Sequence, residues 1–229
     1  MAYTDLHEHL KKLEANGLLR RVTRLINKDT ELHPLVRWQY RGLTEEDRKA
    51  WLFENVTDAK GRRYNMPVVV GALAGNPAIY YLGMGCNSVE EMDAKWKKAL
   101  SEPIAPVAVG NAKCQDVVHI GDELDKEGFG LDKFPVPIST PGFDNGPYTT
   151  CSHWITADPE TGIQNIGNYR GHIKARRRSY PTCRCKRFRT ASTNWAWPAV
   201  WRGSRSRRSS ARPMTSWCRR TRRSSSKVS

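Results

Sequence analysis

The sequence predicts an α/β domain, then a run of short β-strands, then a segment with the grammar of neither. Three observations carry that reading. Strand-like and helix-like stretches alternate through the first hundred residues, the pattern of an α/β layer. From about Cys114, short β-rich stretches recur between turn residues, which suggests the opening of a β-barrel or sandwich. After Ala175 the aliphatics vanish: residues 177–229 hold no Leu or Ile and two Val, but 14 Arg, 11 Ser, four Trp and three Cys.

Thr4 is placed to cap a first helix whose Leu6, Leu10 and Leu13 share one face, with Gly17 as its stop. A short strand, Leu18 to Val22, follows. A second helix is expected from about Leu35 through Trp51, leading into Leu52-Phe53-Glu54-Asn55-Val56. Met66 to Gly71 is β-branched and bounded by Pro67 and Gly71, so it predicts a buried strand. Gly71-Ala72-Leu73-Ala74-Gly75 lacks a complete phosphate-binding glycine pattern and is read as a tight turn. Ser88-Val89-Glu90-Glu91 is a capping box that opens a helix to about Leu100, closed by Pro103. Later strand candidates are Val117–Ile120, Phe134–Ile138, Thr149–Ala157 and Ile163–Tyr169. Gly142–Pro147 and Asp158–Gly162 supply turns between them.

With 229 residues, 38% of them apolar and 27% charged, the chain is long enough for a sizeable core. Collagen, coiled coil and wholesale disorder are excluded. No stretch approaches the ~18 apolar residues of a membrane helix. The opening Met1-Ala2-Tyr3-Thr4-Asp5 has no secretory pattern, and the six Cys show no disulfide-framework spacing. Reduced thiols and a cytoplasmic location are therefore expected.

The net charge of +15 invites a nucleic-acid reading until it is located. Residues 177–229 carry 16 Lys and Arg with no acid, leaving residues 1–176 near neutral. The tail has no hydrophobic period from which to build a core. Out-of-frame translation is its expected origin. Read one base earlier, Met214 to Cys218 with a TCN serine codon gives a polar residue and Asp followed by three apolar residues, a plausible strand. Resequencing the gene from about codon 165 tests this, since one inserted or deleted base should restore aliphatic and acidic residues. The competing reading is RNA binding through Arg202 to Ser210 with Trp195, Trp197, Trp201 and Trp217, by phosphate contact and stacking. Non-specific adhesion to nucleic acid is expected whatever the tail's origin. Cys183-x-Cys185 has no second pair at zinc spacing and carries no site.

Motifs across residues 1–176 resemble the UbiD family of decarboxylases. They begin with Asp5-Leu6, Leu13-Glu14 and Gly17 to Val22, then Leu52 to Val56, Pro67 to Gly71 and Tyr81-Leu82-Gly83. The more specific part is Leu131 to Pro137, Asp144-Asn145-Gly146-Pro147-Tyr148-Thr149-Thr150, Ile155 to Gly162, and Asn165-Ile166-Gly167-Asn168-Tyr169-Arg170. The resemblance implies an α/β N-terminal domain over residues 1–110, the first part of an FMN-binding split β-barrel over 111–176, and a disordered basic, non-native tail over 177–229.

It also implies a carboxy-lyase for an aromatic or α,β-unsaturated acid, of 3-polyprenyl-4-hydroxybenzoate decarboxylase type and tied to ubiquinone biosynthesis. Prenylated FMN, a divalent metal (Mn or Mg) and K are the implied cofactors, with a flavin prenyltransferase as supplier. Asn165, Ile166, Gly167, Asn168 and Arg170 would line the flavin. Asn165 would ligate the metal through its amide oxygen, and Arg170 would join the catalytic Glu-Arg-Glu proton-transfer network. Strand alternation puts Asn165 and Arg170 on opposite faces, so a bulge or bend near Gly167 is expected to bring them together. Residues 161–229 contain no acid, so the family's metal Glu and network carboxylates have no counterpart there, and its metal His is not assigned. The expectation is a truncated, inactive chain that does not form the family's homo-oligomer. His7, His9, His33 and His153 are read as packing or surface residues, and His172 is left unassigned.

Overall fold

The computed structural model describes residues 3, 5–105, 107, 109–110, 112, 115–158, 160–162 and 164–181. Helix α1, Leu6–Ala15, is capped by the Asp5 carboxylate, which accepts from the Glu8 N–H at 2.9 Å. Thr4, the expected cap, lies outside the described residues. Gly17 ends the helix in the left-handed region at φ 67°, where a Cβ would be strained.

Strands β1, Leu19–Asn27, and β2, Ala50–Thr57, pair in parallel from Leu19↔Ala50 to Asn27↔Thr57. Parallel pairing requires a crossover, which helix α2, Leu32–Gly42, supplies. The antiparallel strands β3, Arg63–Tyr64, and β4, Val68–Val70, complete this sheet on β2. Trp51, Phe53 and Val56 pack with Ile26, Leu32 and Val36, while Ala50 packs with Leu13, Ala72 and Ile79. The first half of strand β2 is therefore covered on both faces, which is why Ala50-Trp51-Leu52-Phe53 reads as an unbroken apolar run.

The second helix is shorter than its periodicity suggested. It stops at Gly42, and strand β2 already begins at Ala50, so Trp51 belongs to the sheet. Gln39 makes the handover. Its buried amide oxygen accepts from the Lys49 N–H (3.0 Å) and the Trp51 indole N–H (2.9 Å), and its nitrogen donates to the Lys49 carbonyl (3.1 Å).

Gly71 to Gly75 is the tight turn expected, closed by the Gly75 N–H on the Gly71 carbonyl at 2.9 Å. It leads into helix α3, Pro77–Met84, which periodicity did not reveal. Helix α4, Val89–Ser101, starts at Ser88 as the capping box predicts, although Glu91 reaches back to the Asn87 N–H (2.8 Å) rather than to Ser88.

In the second half, Val117–Ile120 and Phe134–Ile138 are not strands. Val117, Val118 and Ile120 are exposed, and Pro135 and Pro137 have no N–H to give a ladder. Short 3₁₀ helices, Gly121–Asp125 and Leu131–Lys133, occupy this region instead. The expected strand over 149–157 divides into β5, Tyr148–Thr149, and β6, His153–Ala157. Strand β7, Gln164–Asn168, pairs with β6, while β8, Gly171–Ala175, lies between β5 and β9, Arg178–Pro181. Regular β-structure thus crosses the composition break at residue 177. The remainder of the basic segment, with the Trp and Cys residues singled out above, lies outside the described residues. Among those described, no helix is long and apolar enough to cross a membrane.

Candidate functional site

Residues 165–170 run along β7 and round the corner into β8. In the β6–β7 hairpin Thr156 faces Asn165, Ile155 faces Ile166, Trp154 faces Gly167 and His153 faces Asn168. Its turn is the one read from sequence: the Asp158 carboxylate accepts from the Glu160 and Thr161 N–H groups, both at 2.9 Å. Those two bonds hold that carboxyl below its usual range. A structural turn acid is what this geometry describes, and it is remote from proton-transfer duty.

Because register is regular from His153↔Asn168 to Ala157↔Gln164, there is no bulge at Gly167. The bend expected there falls two residues later, at Tyr169-Arg170, where the chain leaves one sheet and enters the next. Gly167 serves a different purpose: a Cβ on it would sit 2.1 Å from the Tyr169 ring. The ring can fold back over residue 167 only because that residue is glycine. The corner is pinned from both sides. Trp154 Nε1 donates to the Tyr169 carbonyl (2.9 Å), and Thr149 Oγ1 accepts from the Gly171 N–H (3.2 Å).

The corner presents Arg170 half-exposed. Its Nη1 donates to Asp144 Oδ1 at 3.5 Å, and its guanidinium lies 4.9 Å from the centre of the Tyr148 ring. Tyr148 stacks on His172, its register partner across β5 and β8, at 4.3 Å and 23°. His172 is buried, and that burial, seconded by Lys174, lowers its pKa against a smaller opposing effect of Asp144.

The six-residue stretch thus divides by role. Asn165 is exposed and its amide has no hydrogen-bond partner among the described residues, leaving its oxygen available to a ligand. Ile166 is exposed on the opposite strand face. Asn168 is committed to structure: with its amide nitrogen turned toward them, it donates to the Thr150 and Ser152 carbonyls (3.2 and 3.0 Å). No hydrogen bond or ring contact is shared by Asn165 and Arg170.

A divalent ion needs several hard oxygen ligands. Among the described residues no group of three or more His, Cys, Asp or Glu is gathered to hold one. Asn165 supplies a single oxygen, so this set of residues does not fit a complete metal site. A flavin phosphate asks for less, a cation and exposed polar strand, and Arg170 with β7 fits that demand. Asp144, Tyr148 and His172 were not singled out from sequence as a unit. Their signal was nevertheless present in the spacing of Asp144-Asn145-Gly146-Pro147-Tyr148, where a Cβ on Gly146 would meet His172 Nε2 at 2.7 Å.

Residues 10–96 match the model of the 3-octaprenyl-4-hydroxybenzoate carboxy-lyase N-terminal domain, and residues 106–196 match that of its Rift-related domain. The second match runs past residue 176, where the motif resemblance ends. The UbiD-class enzyme HmfF from Pelotomaculum thermopropionicum, solved with FMN, is 27% identical with a TM-score of 0.62, over 78% of this chain and 36% of that one. Vanillic acid decarboxylase of Sedimentibacter hydroxybenzoicus is 24% identical with a TM-score of 0.62, over 77% and 36%. The 3,4-dihydroxybenzoic acid decarboxylase of Klebsiella pneumoniae is 20% identical with a TM-score of 0.66, over 81% and 38%. The last two likenesses speak to the fold. The chain spans little more than a third of the length of these solved structures. With both domain models matched in order and the same fold beneath them, the chain belongs to the UbiD family.

Proposed function

We propose that this chain forms the cofactor-facing N-terminal part of a UbiD-type carboxy-lyase, acting in reversible, non-oxidative decarboxylation of an aromatic or α,β-unsaturated acid. The observation that carries the reading is Arg170, held half-exposed at the β7–β8 corner by Asp144 and Tyr148, five residues beyond an exposed Asn165. The FMN complex of the UbiD-class relative HmfF supports it.

In this reading Arg170 and the β7 backbone hold the flavin phosphate side, and Asn165 offers one oxygen to a divalent ion, Mn or Mg. When bound, prenylated FMN supplies the electron sink for loss of CO2. A guanidinium stays charged throughout, so Arg170 orients an acid or a phosphate without itself giving up a proton. The only carboxylate bonded to Arg170 among the described residues is Asp144. Among the described residues no further metal ligands or network acids are gathered beside Arg170, so in this reading these residues form part of a site and are not expected to turn over by themselves. The cofactor is supplied in the cytoplasm by a flavin prenyltransferase. In this reading residues 1–110 and 111–176 form the two units of this N-terminal part.

A chimera tests the site. Residues 1–181 joined to the remaining two thirds of HmfF should capture prenylated FMN and release CO2. Arg170→Ala in it should lower turnover by about 100-fold or more, the scale of a lost charge-stabilising donor. A folded, active chimera indifferent to Arg170→Ala and Asn165→Ala overturns the assignment.

A further inference from the structure

We infer that Arg170 is set by a relay of contacts that begins on helix α2, with Asp144 and Tyr148 as its positioning residues and Arg37 and His172 as their anchors. The inference rests on the reading of Arg170 as the cofactor-side cation.

Each link is a contact. Arg37, on the exposed side of α2, donates from Nη2 to the Ser139 carbonyl (3.1 Å) and to Thr140 Oγ1 (3.2 Å). Thr140 starts a tight turn: its carbonyl accepts from the Phe143 and Asp144 N–H groups at 3.0 and 2.9 Å, and Gly142 sits at φ 87°. The Thr140 N–H returns a bond to Asp144 Oδ2 at 3.0 Å. Asp144 is thereby held from the first half of the molecule, and its other oxygen meets Arg170.

The second arm carries the ring under the guanidinium. Tyr148 donates its hydroxyl to Asn145 Oδ1 (2.9 Å) and stacks on buried His172. Gly146 lets the loop close on that imidazole, since any Cβ there would collide with it. Asp144 is largely buried, whereas Arg170 is half open. One Nη and one face of the guanidinium are thus engaged, and its remaining donors stay available to a ligand. A residue on an otherwise short, exposed corner acquires a fixed aim because two separately anchored groups hold it.

The relay predicts a signature that needs no cofactor. In the 229-residue chain, Tyr148 should shift the Arg170 side-chain NMR resonances upfield by its ring current, with Arg170→Lys identifying them. Exposed contacts of this kind bias a population by roughly two- to fivefold. Arg37→Ala should therefore weaken the upfield shift by about half, as should Asp144→Asn, while Arg41→Ala on the same helix leaves it in place. Tyr148→Leu should abolish it and Tyr148→Phe keep it; His172→Ala should weaken it and His172→Phe restore it. Unchanged core amide resonances show that each variant is folded. An upfield shift indifferent to Arg37→Ala and Asp144→Asn in folded protein overturns the relay. Because no flavin is present, that failure is separate from any failure of the chimera to depend on Arg170.

Discussion

Gln39 is a buried amide on an apolar helix face, and all its hydrogen-bonding capacity on that side is used by Lys49 and Trp51. Gln39→Leu keeps the volume but orphans a backbone N–H, a carbonyl and an indole N–H, for a cost of about 2–4 kcal/mol. A urea denaturation midpoint close to that of the parent would contradict this role. His172 supplies a pH dependence. Burial first, then Lys174, holds its pKa below the ordinary histidine value, with Asp144 opposing. The folded state therefore binds fewer protons than the unfolded chain, so stability is complete above about pH 6.5 and declines as pH falls below it. His33 on α2 behaves alike, lowered by burial and Arg37. The thermal midpoint should drop on acidification from pH 7 toward 5.5, and less so in His172→Phe. Equal slopes for both proteins would remove His172 from the explanation. At this scale the sequence was informative where one residue type has one job, as at Gly17 or Asp158. It was silent on Gln39 and His172, whose partners lie across the fold.

Helix α3 shows why elements were unevenly legible. Its short apolar stretch is flanked by Gly71, Gly75, Gly83 and Gly85, which dilute any period, yet Asn76-Pro77 is a start signal in plain view. Asn76 accepts from the Ile79 N–H (3.0 Å) and donates to the Arg48 carbonyl (2.6 Å), tying the helix to the loop before β2. Asn76→Ala removes a cap and a tether together and should cost about 1–3 kcal/mol. A loss of a few tenths, measured by calorimetry, would show that the cap is redundant. Strand β2 was visible in its opening apolar run, and β7 in its place between turn residues. Phe134–Ile138 misled because proline spacing imitates strand alternation without being able to make the ladder. For the candidate site, Asn165 lies on the strand read from sequence, whereas Arg170, read as sharing it, lies just past its end. The bend was misplaced because Gly167 answers to the Tyr169 ring rather than to backbone curvature.

Across the whole molecule, apolar burial is lopsided. Both core clusters lie within residues 10–82, and beyond residue 86 the buried apolar side chains among those described are Leu124, Leu131 and Pro135. The second half is fastened to the first by polar contacts: Arg62 to Asp132 at 3.2 Å, and Arg37 to Ser139 and Thr140. Asp132 also meets Arg176 at 3.3 Å. Burial opposes ionisation of Asp132, but the Gly128 N–H and the Arg62 and Arg176 guanidiniums win and hold its carboxyl low. Polar fastening without a shared core opens more readily than packing does. Limited proteolysis should therefore cut first beyond residue 110 and leave a resistant fragment spanning the first sheet. Early cuts inside that sheet, with residues 115–176 protected, would reverse the order of stability argued here.

The most direct test is coexpression of the 229-residue chain with a flavin prenyltransferase, followed by flavin absorbance and CO2 release with an aromatic acid such as vanillate. The proposed partial site, with Arg170 and Asn165 present but no metal ligands gathered among the described residues, predicts purified protein without stoichiometric flavin and without CO2. A flavin-saturated chain that releases CO2 would mean that these residues complete the site themselves, and would contradict that conclusion.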